Sequence, residues 1–179
     1  MERTVEQDCP RIYVACLAAY NGGRLHGKWI DLDEDTDLDT LWDKVKEVLK
    51  TSPEAGAEAW AIHDYEGFEG YSVSESEDFE TLIKIAEALR KHGAAFGAYL
   101  ENEGDLDTAL ENFEEAYAGE YDSRSEFGQQ LFDDTVDISA VPDYLRNYID
   151  VEAWTRDLFL GGDYYDVQKN GSTYVFRNI

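Results

Sequence analysis

The 179-residue chain carries 40 acidic against 15 basic side chains, a formal charge of −25, and is 43% hydrophobic and 13% aromatic. That is enough apolar material for one or two packed domains; the charge disfavours nucleic acid or an anionic membrane as partner and favours a basic one. No stretch approaches the ~18 apolar residues of a membrane span, the start Met1-Glu2-Arg3-Thr4-Val5-Glu6 lacks a signal-peptide pattern, and Cys9 and Cys16 are too few for a disulfide framework, so free thiols in a cytoplasmic protein are expected.

In chain order, Arg11 to Ala19 contains Ile12, Tyr13, Val14 and Leu17 and ends at Tyr20-Asn21-Gly22-Gly23. This predicts a strand and a hairpin turn, because Asn-Gly tolerates positive φ, with Arg24 to Leu32 returning as the second strand. Asp31, Asp33, Asp35, Asp37 and Asp39 alternate as in a calcium loop. A loop starting at Asp31, however, has Thr36 where glycine is required and Trp42 where a bidentate glutamate is required; starting at Asp33 gives Leu38 and Lys44. A solvated loop leading into a helix is the better account. Leu38, Leu41, Trp42, Val45, Val48 and Leu49 then fall on one helical face. Lys44, Lys46 and Lys50 follow the macrodipole, and Thr51-Ser52-Pro53 ends the helix. Ala57 to His63 completes a β-β-α-β unit.

Asp64 to Ser74 reads as a linker. Ser74 and Glu77 have capping-box spacing before a helix with Phe79, Leu82, Ile83, Ala86 and Leu89 that closes at Lys91-His92-Gly93. A short helix over Ala94 to Asn102 follows. Leu106, Ala109, Leu110, Phe113 and Tyr117 repeat at helical spacing until Gly119, and Ser123 or Ser125 can cap a short helix through Phe132. Pro142 suits the start of a helix over Asp143 to Ile149. Asp150 can cap another over Val151 to Leu160, stopped by Gly161-Gly162. Tyr164 to Gln168 and Thr173 to Arg177 flank Asn170-Gly171, a hairpin signal. The expected class is α+β in three parts: an N-terminal antiparallel β-β-α-β domain over 1–64, a helical middle domain over 65–104, and an acidic domain of helices plus a β-hairpin over 105–179.

Between Glu101 and Asp166 stand 19 carboxylates against Arg124, Arg146 and Arg156. Phe113, Tyr117, Phe127, Tyr144, Tyr148, Trp154 and Phe159 are interleaved with them, which sets the stretch apart from an acidic disordered tail. Folding such a surface works against self-repulsion, so the charge is expected to have a use. There is no phosphate loop, no G-x-S-x-G elbow and no H-E-x-x-H pair, and His26, His63 and His92 lack metal-ligand spacing. Two carboxylates could serve glycoside hydrolysis, but among 40 acids some pair always lies close by chance. No catalysis, cofactor or metal is expected. Tyr65, Tyr71, Tyr121 and Tyr165, beside acids in predicted loops, suit an interface.

Ile12-Tyr13-Val14, Tyr20-Asn21, Gly27-Lys28-Trp29, His63-Asp64-Tyr65-Glu66-Gly67-Phe68, and Val141-Pro142 through Ala153-Trp154-Thr155-Arg156-Asp157-Leu158-Phe159-Leu160, ending near Tyr174-Val175-Phe176-Arg177, lie in order across nearly the whole chain. On these residues the chain resembles the ArdA-type antirestriction proteins carried by conjugative plasmids and transposons, mobile genetic elements.

What this resemblance implies is a non-enzymatic inhibitor of type I restriction-modification enzymes. Such a protein imitates duplex DNA, occupies the groove formed by the specificity and modification subunits, and works as an elongated homodimer joined through its C-terminal domain. The carboxylates then expected to stand for phosphates are Glu101, Glu103, Asp105, Asp107, Glu111, Glu114, Glu115, Glu120, Asp122, Glu126, Asp133 and Asp134. The family's antirestriction motif maps onto Asp137 to Asp150. It includes Val141, Pro142, Tyr144, Leu145, Tyr148, Ile149 and Asp150, which with Trp154 and Phe159 are the candidate dimer contacts. The alternative is an acidic adaptor or chaperone-like module that binds basic DNA-associated proteins.

Overall fold

A computed structural model describes residues 9–179. The first residues, on which the signal-peptide expectation rests, lie outside the described residues. Packing divides the chain into two compact units, Met1–Gly97 and Ala98–Ile179, each built on a three-stranded antiparallel sheet. The class is α+β. The division falls inside a helix, at neither 64/65 nor 104/105. No helix among the described residues is long and apolar enough to cross a membrane.

In the first unit β1 (Arg11–Cys16) is the central strand, flanked by β2 (Gly27–Asp31) and β3 (Trp60–Glu66). Ile12 and Val14 are fully buried, as strand alternation places them on the core face. The single strand expected over Arg11 to Ala19 stops at Cys16. Leu17–Asn21 forms a short helix, α1, because Leu17-Ala18-Ala19 favours helix and Gly22-Gly23 ends it, with Gly22 N donating to Ala18 O. Gly27 is required where it stands: a Cβ there would lie 2.5 Å from Val14 O.

β3 runs further than expected, so Asp64-Tyr65-Glu66 is strand rather than linker; Arg11 Nε donates to Glu66 at 2.8 Å across the pair. This end of an edge strand is exposed, which is why its polar composition reads as loop. The helices α2 (Leu38–Lys50) and α3 (Phe79–His92) cover the sheet, burying Leu41, Val45 and Val48 of one and Phe79, Leu82, Ile85 and Leu89 of the other. Asp37 caps α2 through Thr40 N. Asp78, not Ser74, caps α3 through Thr81 N; Ser74 and Glu77 instead close a separate turn. Phe79 stacks on Trp60 with centroids 4.7 Å apart and meets the edge of Trp42 at 4.8 Å. Such pairs each add about 0.5–1.5 kcal/mol beyond area burial.

The unit boundary lies within α4 (Ala94–Glu103). The second unit continues with α5 (Leu106–Ala116), capped by Asp105 through Thr108 N. Next comes β4 (Tyr117–Tyr121), a strand that the helical spacing conceals: Tyr117 keeps the phase of Phe113, and their rings stack at 5.1 Å even though the backbone has become extended. The expected hairpin is therefore a three-stranded sheet of order β4-β6-β5, with β5 (Tyr164–Lys169) and β6 (Ser172–Arg177) joined at Asn170-Gly171. Both turn residues have positive φ, 52° and 88°, as a two-residue hairpin turn demands. Central β6 buries Val175 and Phe176 completely, with Phe176 against Tyr99, Phe113, Tyr117 and Tyr165. Tyr121 and Tyr165 are strand residues packed on aromatic neighbours, not loop residues.

α6 (Arg124–Thr135) is capped by Ser123, whose Oγ accepts from Glu126 N, while Glu126 Oε2 accepts from Asp122 N, one residue before the cap, at 2.7 Å. It outlasts the predicted end at Phe132 by nearly a turn. A 3₁₀ turn over Ile138–Ala140 and α7 (Asp143–Arg146) follow; α7 is one turn, shorter than the stretch to Ile149 expected from Pro142. α8 (Val151–Leu160) is capped by Asp150 through Ala153 N and stops at Gly161.

Candidate carboxylate surface and contact segment

The amphipathic helices of the second unit separate acid from core. α5 buries Ala109, Phe113 and Ala116 on one face and leaves Asp107, Glu111, Glu114 and Glu115 outside. Glu101 and Glu103 close α4, Asp105 precedes α5, Glu120 lies on β4 with Asp122 just after it, Glu126 is in the first turn of α6, and Asp133 and Asp134 are in its last. All twelve predicted positions are exposed.

Several have local partners, among them Glu126, which accepts from Asp122 N at 2.7 Å. Lys169 Nζ reaches Glu101 at 3.2 Å, Tyr165 donates to Glu103 at 3.3 Å, Ser172 donates to Glu120, Gln129 donates to Asp133 at 3.0 Å, and Thr108 donates to Asp105. The Thr108 hydroxyl and amide hold the Asp105 carboxyl below its usual range. Burial, then the charge of Glu103, pushes the Tyr165 phenol up. Asp107, Glu111, Glu115, Asp122 and Asp134 have no ion-pair partner among the described residues.

The longer helices of the two units end differently, the one-turn α1 and α7 aside. α2 ends on Lys50, and α3 on Arg90, Lys91 and His92, cations near the negative pole of the helix. α4, α5, α6 and α8 have no basic residue in the last turn; Glu101, Glu103, Glu114, Glu115, Asp133 and Asp134 occupy the carboxyl-terminal parts of the first three instead. Each carboxylate there works against the macrodipole by about 0.3–1 kcal/mol at low salt. Helix stability does not account for their placement.

The 137–150 segment is a different surface. Tyr144 is 75% exposed, Tyr148 84% and Leu145 44%, with Ile138 beside them at 42%. Val141 and Ile149 are half-buried, Pro142 is exposed, and Asp150 serves as the cap of α8. Trp154 and Phe159 are drawn inward: Trp154 packs edge-on against Phe132 at 5.5 Å and Phe159 against Phe127 at 5.9 Å. Sequence reasoning missed Ile138 as an outward apolar group; its position in a 3₁₀ turn is what exposes it. A cleft of about 490 Å³ between α6, α8 and β5 contains Arg124, Arg156, Glu152 and Phe159. Its cations are engaged, Arg124 with Asp166 and Arg156 with Asp157.

Residues 12–172 match the family described as Antirestriction protein (ArdA). No curated protein matches the sequence. The match covers most of the chain and includes β1, the acidic helices and the 137–150 segment. The chain belongs to the ArdA antirestriction protein family, whose members inhibit restriction enzymes.

Proposed function

We propose that this chain inhibits type I restriction-modification enzymes by imitating duplex DNA in the groove of the specificity and modification subunits. The observation that carries the reading is the inverted charge at the helix ends of the second unit. Carboxylates placed against local stability, exposed, and in part without internal partners are positioned for something outside the chain. A basic DNA channel supplies it, through charge-assisted bonds to carboxylate oxygens in place of phosphate. Inhibition by occupancy needs no catalytic group.

Spacing is consistent with this. Along α5, Asp107, Glu111 and Glu114 or Glu115 recur about every 5–6 Å of helix axis, whereas one DNA strand presents a phosphate every ~3.4 Å. One helical row thus supplies roughly one charge per two phosphates, and Glu101, Glu103, Glu120, Asp122, Glu126, Asp133 and Asp134 make up the remainder. Two copies, each with a net charge of −25, carry the charge of about 85 Å of duplex. The contact between copies in this reading is the apolar 137–150 segment.

The test is competition on a purified type I enzyme between the protein and a labelled duplex. Mutual exclusion, weakening as salt rises, is expected. Simultaneous binding of both would exclude DNA mimicry and favour an acidic adaptor that binds basic surfaces without entering a groove.

A further inference from the structure

The backbone of the 137–149 segment is held by short-range bonds. Ala140 N donates to Asp137 O at 3.0 Å, Leu145 N to Pro142 O at 2.8 Å, and Tyr148 N to Leu145 O at 3.0 Å. Such turns, taken singly, open easily. One side chain reaches across them. Arg146 Nε donates to Val141 O at 2.9 Å, Nη2 donates to Ser139 O at 3.2 Å, and Nη1 pairs with Asp143 Oδ1 at 2.7 Å. Three nitrogens address three separate acceptors, which the rigid guanidinium fork permits and a single ammonium does not.

We propose that Arg146 is a positioning residue that ties the 3₁₀ turn to α7 and so presents Ile138, Tyr144, Leu145 and Tyr148 to a second copy of this chain. The inference rests on reading this segment as a protein contact. The occupant follows from charge. Residues 138–149 contain one acid, Asp143, and one base, Arg146, within a unit of 19 acidic and five basic residues, net −14. A neutral apolar face suits an equally neutral face, not a basic groove, and two-fold symmetry supplies an identical one. Arg146 makes these three polar contacts within its own segment. Without the tie, the presented arrangement is a fraction of the population, and apparent affinity falls by that fraction.

The experiment compares wild type, Arg146→Ala, Arg146→Lys and the double variant Tyr144→Ala/Tyr148→Ala. Sedimentation equilibrium gives self-association, and amide hydrogen exchange gives local opening. Arg146→Ala is expected to weaken association about tenfold and speed exchange over 139–149, with the amides of α5, α6 and α8 unchanged. Arg146→Lys, which keeps the charge and the stem, should recover only part of the association and keeps the comparison available if the alanine variant folds poorly. Unchanged exchange over 139–149 in both Arg146 variants overturns the tie, whatever association does. Wild type that stays monomeric, or tyrosine variants that associate like wild type, overturns the contact reading even where the exchange result upholds the tie.

Discussion

Arg124 closes over Asp166: Nε donates to Oδ1 at 2.8 Å, the Asp166 side chain is only 4% exposed, and the guanidinium sits 4.8 Å from the centroid of Phe159. This is a buried carboxylate in a unit crowded with carboxylates, neutralised by a cation that also caps an aromatic ring. Removing Arg124 strands the charge. Arg124→Met is expected to destabilise the fold by about 2–3 kcal/mol, below the ~3–5 of a wholly buried pair because Arg124 is half exposed and water can enter. Replacing both partners, Arg124→Met with Asp166→Leu, should restore most of the loss in urea unfolding. A single Arg124→Met as stable as wild type would show the pair to be inert.

Helices α6 and α8 meet at Gly128 and Thr155, where a Cβ on residue 128 would fall 1.8 Å from Thr155 Oγ1 and 2.5 Å from its Cβ. Gly128→Ala therefore forces the helices apart and should cost about 1–3 kcal/mol, despite alanine's better helix propensity. Thr155→Ala in that background should recover only part, because the Thr155 Cβ position remains too close. Unfolding midpoints of the three variants check this.

Salt should act on fold and function with opposite signs. Self-repulsion in the second unit is screened by added salt, so its unfolding temperature at pH 7 should rise between low and moderate ionic strength while inhibition weakens. Asp134 offers the same contrast in one residue. Asp134→Lys complements the end of α6 and should stabilise it by up to about 1 kcal/mol, yet lower inhibition. Thermal unfolding and restriction assays on one preparation measure both.

The caps give a pH signature. The Thr108 and Ser139 groups hold the carboxyls of Asp105 and Asp137 below their ordinary range. A depressed folded pKa contributes stability that is present above the unfolded value, about 3.9, and is lost as pH falls through the folded one. The difference in unfolding midpoint between wild type and Asp105→Ala should thus be full at pH 7 and shrink below pH 4. A gap that persists in acid would assign the effect to something other than the charged cap.

Much of this fold is legible from local signals. α2, α8 and the Asn170-Gly171 hairpin announce themselves by periodicity, caps and turn residues within a dozen positions. β4 does not, because Tyr117 stays in helical phase with Phe113 while its partner Phe176 lies 59 positions on. The exposure of the twelve carboxylates follows from charge alone. Their opposition to the helix dipole does not: Asp133 and Asp134 belong to the last turn of α6 only because the helix continues to Thr135. Trp154 and Phe159 look available for a partner in sequence, and the α6–α8 crossing instead turns them toward Phe132 and Phe127.

The central claim, that binding is spread over many exposed carboxylates, is tested most directly by graded neutralisation. Glu101, Asp107, Glu111, Glu114, Glu115 and Asp134 are changed to the corresponding amides one at a time and then cumulatively, each variant checked by circular dichroism and titrated against a type I enzyme. Exposed ion pairs contribute about 0–1 kcal/mol each, so every single change, Glu114→Gln for example, should leave inhibition within about sixfold of wild type, and the series should decline by similar small steps. A group acting in catalysis would cost ~10²–10⁴-fold alone. One substitution that abolishes inhibition in a folded protein, with the other five silent, would contradict the account.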